Sequence, residues 1–387
     1  MADSQAFIPY GRHHIDDKDI DAVIDVLKNQ FLTQGAKAPE FEQALCAYTG
    51  AKYATAVNSA TSGLHVACLA LGVGSGDTVW TVPNSFVASA NCALYCNAQI
   101  DFVDIDPVTR NISIEALQDK LKKAKSRNKL PKVLIPVHFS GVSCDMRAIA
   151  LLAKEYGFSV IEDAAHGLGG NYLDHKIGSC EFSDITVLSF HPVKSITTAE
   201  GGALLTNDAG LDKKAKLIAK HGVTRDPELM EGESEGPWYY QQVALGFNYR
   251  MSDLHAALGI TQLQKLDDFV TQRRAIVARY NQALNSLPLK LPLPETLSSS
   301  AWHLYMIELT DHDRKATYQA LHAKGIGVNV HYIPIHLQPY YQQLGFKAGE
   351  YPQAEAFYKN ALTLPLFPGL TADEQDRVIQ ALNEVLA

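Results

Sequence analysis

The feature that most constrains the fold is a regular alternation of short apolar segments and helical patterns in the first half of the chain. Apolar segments of strand length occur at 53–57, 78–82, 99–104, 133–137, 158–162, 185–188 and 203–206. Helical patterns lie between them at 64–71, 87–96, 113–125 and 145–156. Strands that alternate with helices favour a largely parallel sheet with helices on both faces. The sequence therefore predicts an α/β fold.

Composition and charge exclude several classes of function. The chain has 387 residues, of which 47% are hydrophobic, enough for a large core in two or three domains. A net charge of −8 argues against a general binder of nucleic acids or of anionic membranes. No signal peptide or apolar run of membrane-spanning length is visible, so we expect a cytoplasmic protein. The six scattered cysteines are predicted to be buried or inert thiols in a reducing compartment.

One lysine is predicted to lie at the end of a buried strand. The apolar run 185–188 ends at Ser189, and Pro192 prevents the strand from continuing, so Lys194 falls on the loop that follows. Ligands of open α/β sheets bind at such strand ends. A lysine held there can form a Schiff base with a carbonyl cofactor. A solvated surface lysine is the competing interpretation, and the neighbouring motifs argue against it.

A second motif lies at the turn between a strand and a helix. Ala60, Thr61 and Ser62 follow the strand 53–57 and precede the helical pattern 64–71. The first N–H groups of a helix lack intrahelical partners and attract anions, so a phosphate is a natural ligand there. Ordinary N-capping by serine or threonine is the alternative.

Three further residues complete a possible cofactor site. Asp163 follows the strand 158–162 and could keep a pyridine nitrogen protonated, although a helix cap is the alternative. Phe86 could stack on a flat ring or belong to the core, and Ser189 supplies a hydroxyl group. With Lys194 and the phosphate motif, these residues form the set that a pyridoxal phosphate (PLP) site requires.

The C-terminal part of the chain has a different pattern. A long loop is expected at 222–247 and a long helix at 253–284, and a tract rich in Pro, Leu and Ser at 288–300 leads into a smaller α+β domain. We predict a large PLP-binding domain over 1–250, which includes the N-terminal segment 1–35, and a second region over 251–387. The smaller domain is predicted to contain strands at 302–309 and 326–331 and helices at 313–324, 353–361 and 372–386.

Several stretches together resemble a known family. The run from Ser189 to Lys194 reads Ser-Phe-His-Pro-Val-Lys, and further matching stretches lie at 31–35, 58–64, 162–166, 246–250 and 256–259. Over almost its whole length the chain is similar to the DegT-type nucleotide-sugar aminotransferases. The resemblance implies the PLP-dependent transferase fold of type I, which is the aspartate aminotransferase architecture, with PLP as the cofactor.

The resemblance also implies a role for each candidate residue. Lys194 would be the catalytic lysine that carries PLP as a Schiff base. Asn248 of one subunit would reach the phosphate in the other, which implies a homodimer with shared active sites. The remaining cofactor-binding residues would be Ala60, Thr61, Ser62, Phe86, Asp163, His166 and Ser189, and those that contact the substrate would be Thr33, Gln34, Arg250, His331 and Tyr332.

Within the family the chain is most similar to the pseudaminic acid branch. The run Thr197-Thr198 and the segments 330–336 and 340–344 carry this similarity. It implies amination of a UDP-linked 4-keto-6-deoxy amino sugar with L-glutamate as donor and 2-oxoglutarate as co-product. Alternatives are another nucleotide-linked keto-sugar of the perosamine or bacillosamine type, and a non-catalytic PLP-binding regulator. No metal site is expected, since the spacing of His331 and His336 suits no helical ligand pair and no nearby Cys or Asp completes a set.

Overall fold

The computed structural model describes residues 6–293 and 299–386, and the helices and strands agree closely with the alternation predicted from sequence. The helices are α1 Asp17–Asn29, α2 Lys37–Thr49, α3 Ala60–Ala70, α4 Ala88–Tyr95, α5 Ile114–Ser126, α6 Met146–Tyr156, α7 Ala209–Ala219, α8 Asp253–Gln264, α9 Leu266–Leu284, α10 Arg314–Ala323, α11 Pro339–Gln343, α12 Pro352–Asn360 and α13 Ala372–Leu386. The strands are β1 Tyr53–Val57, β2 Thr78–Thr81, β3 Gln99–Phe102, β4 Val133–Ile135, β5 Ser159–Asp163, β6 Asn171–Tyr172, β7 His175–Lys176, β8 Ile185–Ser189, β9 Gly202–Thr206, β10 Val223–Thr224, β11 Gln241–Gln242, β12 Leu289–Lys290, β13 Tyr305–Leu309 and β14 Ala361–Leu364.

The central sheet has seven strands in the order β1-β9-β8-β5-β4-β2-β3. The strands from β8 to β3 run parallel, whereas β9 is antiparallel to both of its neighbours. The adjacent residues Val187 and Leu188 point to opposite faces of the sheet, and both are fully buried. Both faces are therefore covered, as in other parallel sheets packed between helices.

The turn between β1 and α3 is shaped by a cap and a glycine. The Ser59 hydroxyl accepts a hydrogen bond from the backbone N–H of Ser62, so the helix begins at Ala60, four residues before the apolar pattern does. Gly202 at the start of β9 lies against this first turn, and a Cβ atom there would lie 2.6 Å from the nitrogen of Ala60. The absence of a side chain at Gly202 thus brings β9 and the N-terminus of α3 together.

The segment predicted as one long helix at 253–284 forms two helices, so the prediction of a single continuous helix was wrong. Lys265 separates α8 from α9, and its N–H bonds to the carbonyl of Gln262, three residues back, in the tighter pattern of a helix end. The Lys265 ammonium forms ion pairs with Asp16 and Asp19, at 3.0 Å and 2.5 Å. The break between α8 and α9 therefore coincides with the residue that binds the N-terminus of α1.

The strand predicted at 326–331 does not form as a continuous strand. Its backbone bonds are divided between two neighbours: Gly327 donates to Ile8, while Asn329 and Thr363 exchange a pair of hydrogen bonds. A segment that changes partner within three residues cannot continue either ladder. The neighbouring predicted strand 302–309 begins only at Tyr305, because Leu304 donates to the carbonyl of Ser140 instead of a strand.

The smaller sheet of the C-terminal part has the order β12-β13-β14 and is antiparallel. Helices α9 and α13 pack against it around a core that includes Tyr280, Tyr305 and Val378. The predicted boundary at residue 250 stays a prediction. None of the described helices is long and apolar enough to cross a membrane. All six cysteines are free, and five of them are buried.

One apolar helix face is not covered by the described part of the chain. Ile20, Ile24 and Leu27 are spaced so that they lie on one side of α1, and they are 48%, 38% and 57% exposed. Phe31 and Leu32 in the following loop are also exposed. A run of exposed apolar side chains of this kind is typical of a protein–protein contact.

Candidate active site

A cavity of about 420 Å³ opens at the carboxyl ends of β5 and β8. Both strands are parallel and adjacent, so the residues that follow them meet at the same edge of the sheet. The segments around residues 303 and 330 close the opposite side. Of the residues predicted from sequence, the cavity is lined by Ala60, Thr61, Phe86, Asp163, His166, Ser189, Lys194, His331 and Tyr332.

Five predicted site residues do not line this cavity. The hydroxyl of Ser62 lies 3.0 Å from that of Ser59, so it completes the cap of α3. Thr33, Gln34 and Asn248 are exposed on the surface of the protomer, and Arg250 is half-buried beside β1. Within a single chain, these four residues therefore lie apart from the cavity at the carboxyl ends of β5 and β8.

Asp163 is a buried carboxylate with two hydrogen-bond donors. Its side chain is at the end of β5, and the residue is only 4% exposed. The Ser89 hydroxyl donates to one oxygen at 2.6 Å, and the backbone N–H of Ala165 donates to the other at 3.1 Å. Donors to a carboxylate stabilise its charged form. Asp163 is therefore suited to hold a cationic N–H group inside the cavity.

Lys194 lies on the loop after β8, where its N–H donates to the carbonyl of His191 at 2.9 Å. Its side chain reaches the cavity, and Nζ lies 3.5 Å from Nε2 of His303. Burial lowers the pKa of Lys194 to about 8, while the charge of Asp163 opposes this decrease. A substantial fraction of the amine is thus neutral near physiological pH and can act as a base.

Three histidines in the cavity wall are kept neutral. Burial is the main cause that lowers the pKa of His166 and His303 well below the usual value and that of His331 to about 3, with the charge of Lys194 adding to it. Nδ1 of His331 lies 2.7 Å from the hydroxyl of Thr363. Nε2 of His166 lies 3.3 Å from the Tyr332 hydroxyl, whereas its Nδ1 has no partner among the described residues. That buried nitrogen is available to a ligand.

The N-terminus of α3 offers a site for a phosphate group. The N–H groups of Ala60 and Thr61 have no hydrogen-bond partner within the described chain, and both residues line the cavity. The hydroxyl of Ser189 lies in the same wall. Unpaired N–H groups, the positive end of the helix dipole and a hydroxyl group are the donors that bind phosphate in proteins. The phosphate motif at Ala60 and Thr61 and the hydroxyl of Ser189 at the end of β8 therefore lie in the same cavity.

The sequence did not identify several residues that line the cavity or contact the residues lining it. Ser89 lies within the first turn of α4 and donates to Asp163. Its position three residues after Phe86, a predicted site residue, could have identified it from the sequence. His303 lies beside Lys194 but belongs to a loop whose apolar pattern predicted a strand. Tyr10, Glu200 and Asn329 also line the cavity, and no motif identified them. The described residues contain no cluster of His, Cys, Asp and Glu that could hold a metal ion.

Comparison with known proteins defines the family. The model of the DegT/DnrJ/EryC1/StrS aminotransferase family matches residues 13–383, which is nearly the whole chain. The chain therefore belongs to this family, and it is a PLP-dependent sugar aminotransferase. Its α/β fold with a mostly parallel central sheet is the fold of these aminotransferases.

Individual relatives cover the same length. The spore coat polysaccharide biosynthesis protein SpsC of Bacillus subtilis is 38% identical over 387 residues, which cover 98% of this chain and 97% of SpsC. PseC of Helicobacter pylori, an aminotransferase of pseudaminic acid biosynthesis, superimposes with a TM-score of 0.90 at 32% identity and covers 98% of this chain and 99% of its own. NtdA of B. subtilis, solved with bound PMP, gives a TM-score of 0.83 at 29% identity over 96% of this chain and 83% of its own.

The cavity fits the cofactor that these relatives use. Solved relatives contain it in the PLP form and in the PMP form, which carries an amine in place of the aldehyde. The cavity provides a buried carboxylate, an unpaired nitrogen on His166, unpaired N–H groups at a helix N-terminus and a lysine amine. This set of donors and acceptors matches a cationic ring nitrogen, a ring oxygen, a phosphate and an aldehyde.

Proposed function

We propose that the protein converts UDP-2-acetamido-2,6-dideoxy-β-L-arabino-hex-4-ulose to UDP-4-amino-4,6-dideoxy-N-acetyl-β-L-altrosamine in pseudaminic acid biosynthesis. L-Glutamate donates the amino group and leaves as 2-oxoglutarate, and the reaction takes place in the cytoplasm. The observation that carries this proposal is the similarity to H. pylori PseC over 98% of the chain, with a TM-score of 0.90.

The residues of the cavity wall would hold the cofactor in one orientation. When bound, PLP supplies an electron sink that stabilises negative charge on the carbon from which a proton is removed. Asp163 would hold the proton of the ring nitrogen, and the N–H groups of Ala60 and Thr61 would bind the phosphate together with Ser189. His166 would contact the hydroxyl side of the ring. Phe86, which is 59% exposed at the cavity edge, would cover its face.

Lys194 would move the proton in both half-reactions. Its amine takes a proton from the donor carbon onto Nζ and returns it to a second carbon, so the same atom acts as base and then as acid. A pKa of about 8 places both forms within reach at neutral pH. Catalysis by a group of this kind is most effective when its pKa is near the working pH.

A second copy of the chain would complete the site. Asn248 is exposed and would reach the phosphate in the partner, while the exposed apolar face of α1 would be covered in the homodimer. Two further exposed apolar residues, Trp238 and Leu245, lie in the segment that leads to Asn248. The residues that would contact the nucleotide sugar are Thr33, Gln34, Arg250, His331 and Tyr332.

A second candidate substrate is another nucleotide-linked 4-keto-6-deoxy sugar of the perosamine or bacillosamine type. The identity of 38% to SpsC, a protein of spore coat polysaccharide biosynthesis, favours keeping this alternative. The chemistry at Lys194 and Asp163 would be the same for both substrates. Only the contacts that the protein makes with the sugar and the nucleotide would differ between the two substrates.

The decisive experiment is a glutamate-dependent assay of the purified holoenzyme with matched UDP- and GDP-linked 4-keto-6-deoxy sugars. We expect 2-oxoglutarate to form with the UDP-linked L-arabino substrate and NMR to show a new amine at C4 with the L-altro configuration. The variant Lys194→Ala is the control, and it should be folded and inactive. Turnover only with a different keto-sugar would reject the pseudaminic acid assignment, and normal turnover by folded Lys194→Ala would reject the proton-transfer role.

A further inference from the structure

His303 lies directly beside the amine of Lys194. We propose that His303 is a positioning residue for Lys194: its Nε2 accepts a hydrogen bond from the ammonium form of the lysine and thereby holds the proton on Nζ in place for transfer. This inference goes beyond the identity of the sugar, because it concerns the lysine that every substrate of the site would use.

The backbone around His303 is held from two sides. From α9, the guanidinium of Arg273 donates to the carbonyls of Trp302 at 3.2 Å, His303 at 3.4 Å and Leu366 at 2.9 Å. On the other side, a Cβ atom at Gly141 would lie 2.8 Å from the nitrogen of Trp302, so only glycine permits this close approach. These contacts fix the loop without help from a strand ladder.

The imidazole ring is buried and makes one polar contact with the part of the chain that the structure describes. His303 is 3% exposed, and its ring centroid lies 4.3 Å from that of His166. Nδ1 has no partner among the described residues, whereas Nε2 lies 3.5 Å from Nζ of Lys194. The contact with Lys194 is thus the polar contact that orients the ring, and a ring fixed in this way in turn orients the amine.

The surroundings keep His303 in the form that accepts a hydrogen bond. Burial, followed by the charges of neighbouring groups, lowers the pKa of His303 well below its usual value, so the ring is neutral. A neutral ring has one nitrogen without a proton, and that nitrogen can accept from an ammonium group. The titratable and charged groups that interact with His303 or with Lys194 are Asp163, His166, His191, Arg273 and His331.

An acceptor at this position has a chemical consequence. A hydrogen bond to the charged form of a group favours that form, so His303 opposes the effect of burial on the ammonium of Lys194. Without it the amine would remain a base but would hold the proton less well. Since Lys194 must take up a proton and then deliver it, loss of the acceptor should slow the uptake more than the delivery.

The test measures Lys194 in the apoprotein, where neither cofactor nor sugar is needed. Acetic anhydride in trace amounts modifies neutral amines, and mass spectrometry of the Lys194 peptide over a pH series gives the pKa of the amine. The variants are His303→Leu and His303→Met, which remove the acceptor, and His303→Gln, which supplies an amide oxygen. The control is His322→Leu, at an exposed position on α10.

We expect the apolar variants to lower the pKa of Lys194, so that near pH 6 the peptide is modified about tenfold faster than in the parent protein. His303→Gln should restore most of the parent value, and His322→Leu should leave it unchanged. A folded His303→Leu or His303→Met protein with the parent pKa would overturn the proposal, as would a His303→Gln protein that behaves like the apolar variants. Because no sugar is used, neither result depends on which substrate the enzyme takes.

Discussion

The cavity has two walls that are built in different ways. One wall consists of residues at the ends of β5 and β8, among them Asp163, Ser189 and Lys194, which the sheet itself holds in place. The other consists of loop residues of the C-terminal part, among them His303 and His331. These are held by scattered hydrogen bonds to distant segments, such as those from Arg273 to the carbonyls of Trp302 and His303 and the contact of Thr363 with His331.

The two walls also differ in charge. Asp163 and Lys194 bring charge into the strand-end wall, and hydrogen bonds from Ser89 and Ala165 stabilise the carboxylate. The histidines of the loop wall are kept neutral by burial. We propose a division of tasks on this basis, in which the strand-end wall carries the charged groups of the reaction and the loop wall positions them.

The largest expected effect comes from a change in the strand-end wall. Asp163→Asn keeps the shape of the side chain but removes its charge, so a ring nitrogen cation loses its partner. We expect steady-state activity to fall about 10²- to 10³-fold, the range for loss of one preorganised electrostatic contact. Glutamate-dependent formation of 2-oxoglutarate by protein saturated with PLP measures this change.

Ser89→Ala provides a graded comparison at the same carboxylate. It removes one donor at 2.6 Å and leaves the charge, so we expect a loss of about tenfold. The proposed role of Asp163 would be rejected if Asp163→Asn retained normal activity, or if Ser89→Ala were more damaging than Asp163→Asn in proteins of equal stability.

The second prediction concerns the support of the loop wall. Arg273→Met fills a similar volume but removes the donor of three buried carbonyls. We expect the free energy of unfolding to fall by about 2 kcal/mol, because buried polar groups are left unpaired. Urea denaturation monitored by circular dichroism measures this value. Activity should fall as well, since His303 loses its anchor.

The matched control is Arg279→Met on the same helix. Arg279 is half-buried, donates to the carbonyl of Ala372 at 3.0 Å and pairs with the exposed Asp376 at 2.5 Å, so its loss should cost less than about 1 kcal/mol. Equal stability of the Arg273→Met and Arg279→Met proteins would contradict the view that one buried guanidinium holds the loop wall in place.

The same division explains what the sequence could predict. Asp163 and Lys194 each follow an apolar run of strand length, and a sheet places the ends of adjacent parallel strands side by side. Local pattern therefore located the strand-end wall, and family resemblance added His166, His331 and Tyr332. The central sheet and most of its helices were predicted within a few residues for the same reason.

The remaining features depend on contacts between distant segments. His303 belongs to an apolar pattern that predicts a strand, but Arg273 and Ser140 hold its loop through backbone groups. The segment 326–331 has the pattern of a strand but divides its bonds between Ile8 and Thr363. Single hydrogen bonds of this kind leave no periodic signal in a sequence.

The smallest expected effect is a difference between the two walls in how they respond to pH. His331 has its pKa lowered by burial from 6.5 to about 3, so between these values the unfolded chain binds a proton that the folded chain does not. Stability contributed in this way is present above about pH 6.5 and is lost as the pH falls toward 3. Acid should therefore weaken the loop wall while Lys194 remains protonated throughout.

Replacing His331 should make the apoprotein less sensitive to acid. One fewer proton taken up on unfolding reduces the slope of the unfolding free energy by about 1.4 kcal/mol per pH unit near pH 5. We expect this reduction for His331→Asn, whose amide can still contact Thr363, and not for the exposed control His322→Asn. Urea midpoints at about pH 4 to 6 measure the slope. An unchanged slope in His331→Asn would mean that His331 is charged in the folded protein, and the contrast between a charged wall and a neutral wall would no longer hold.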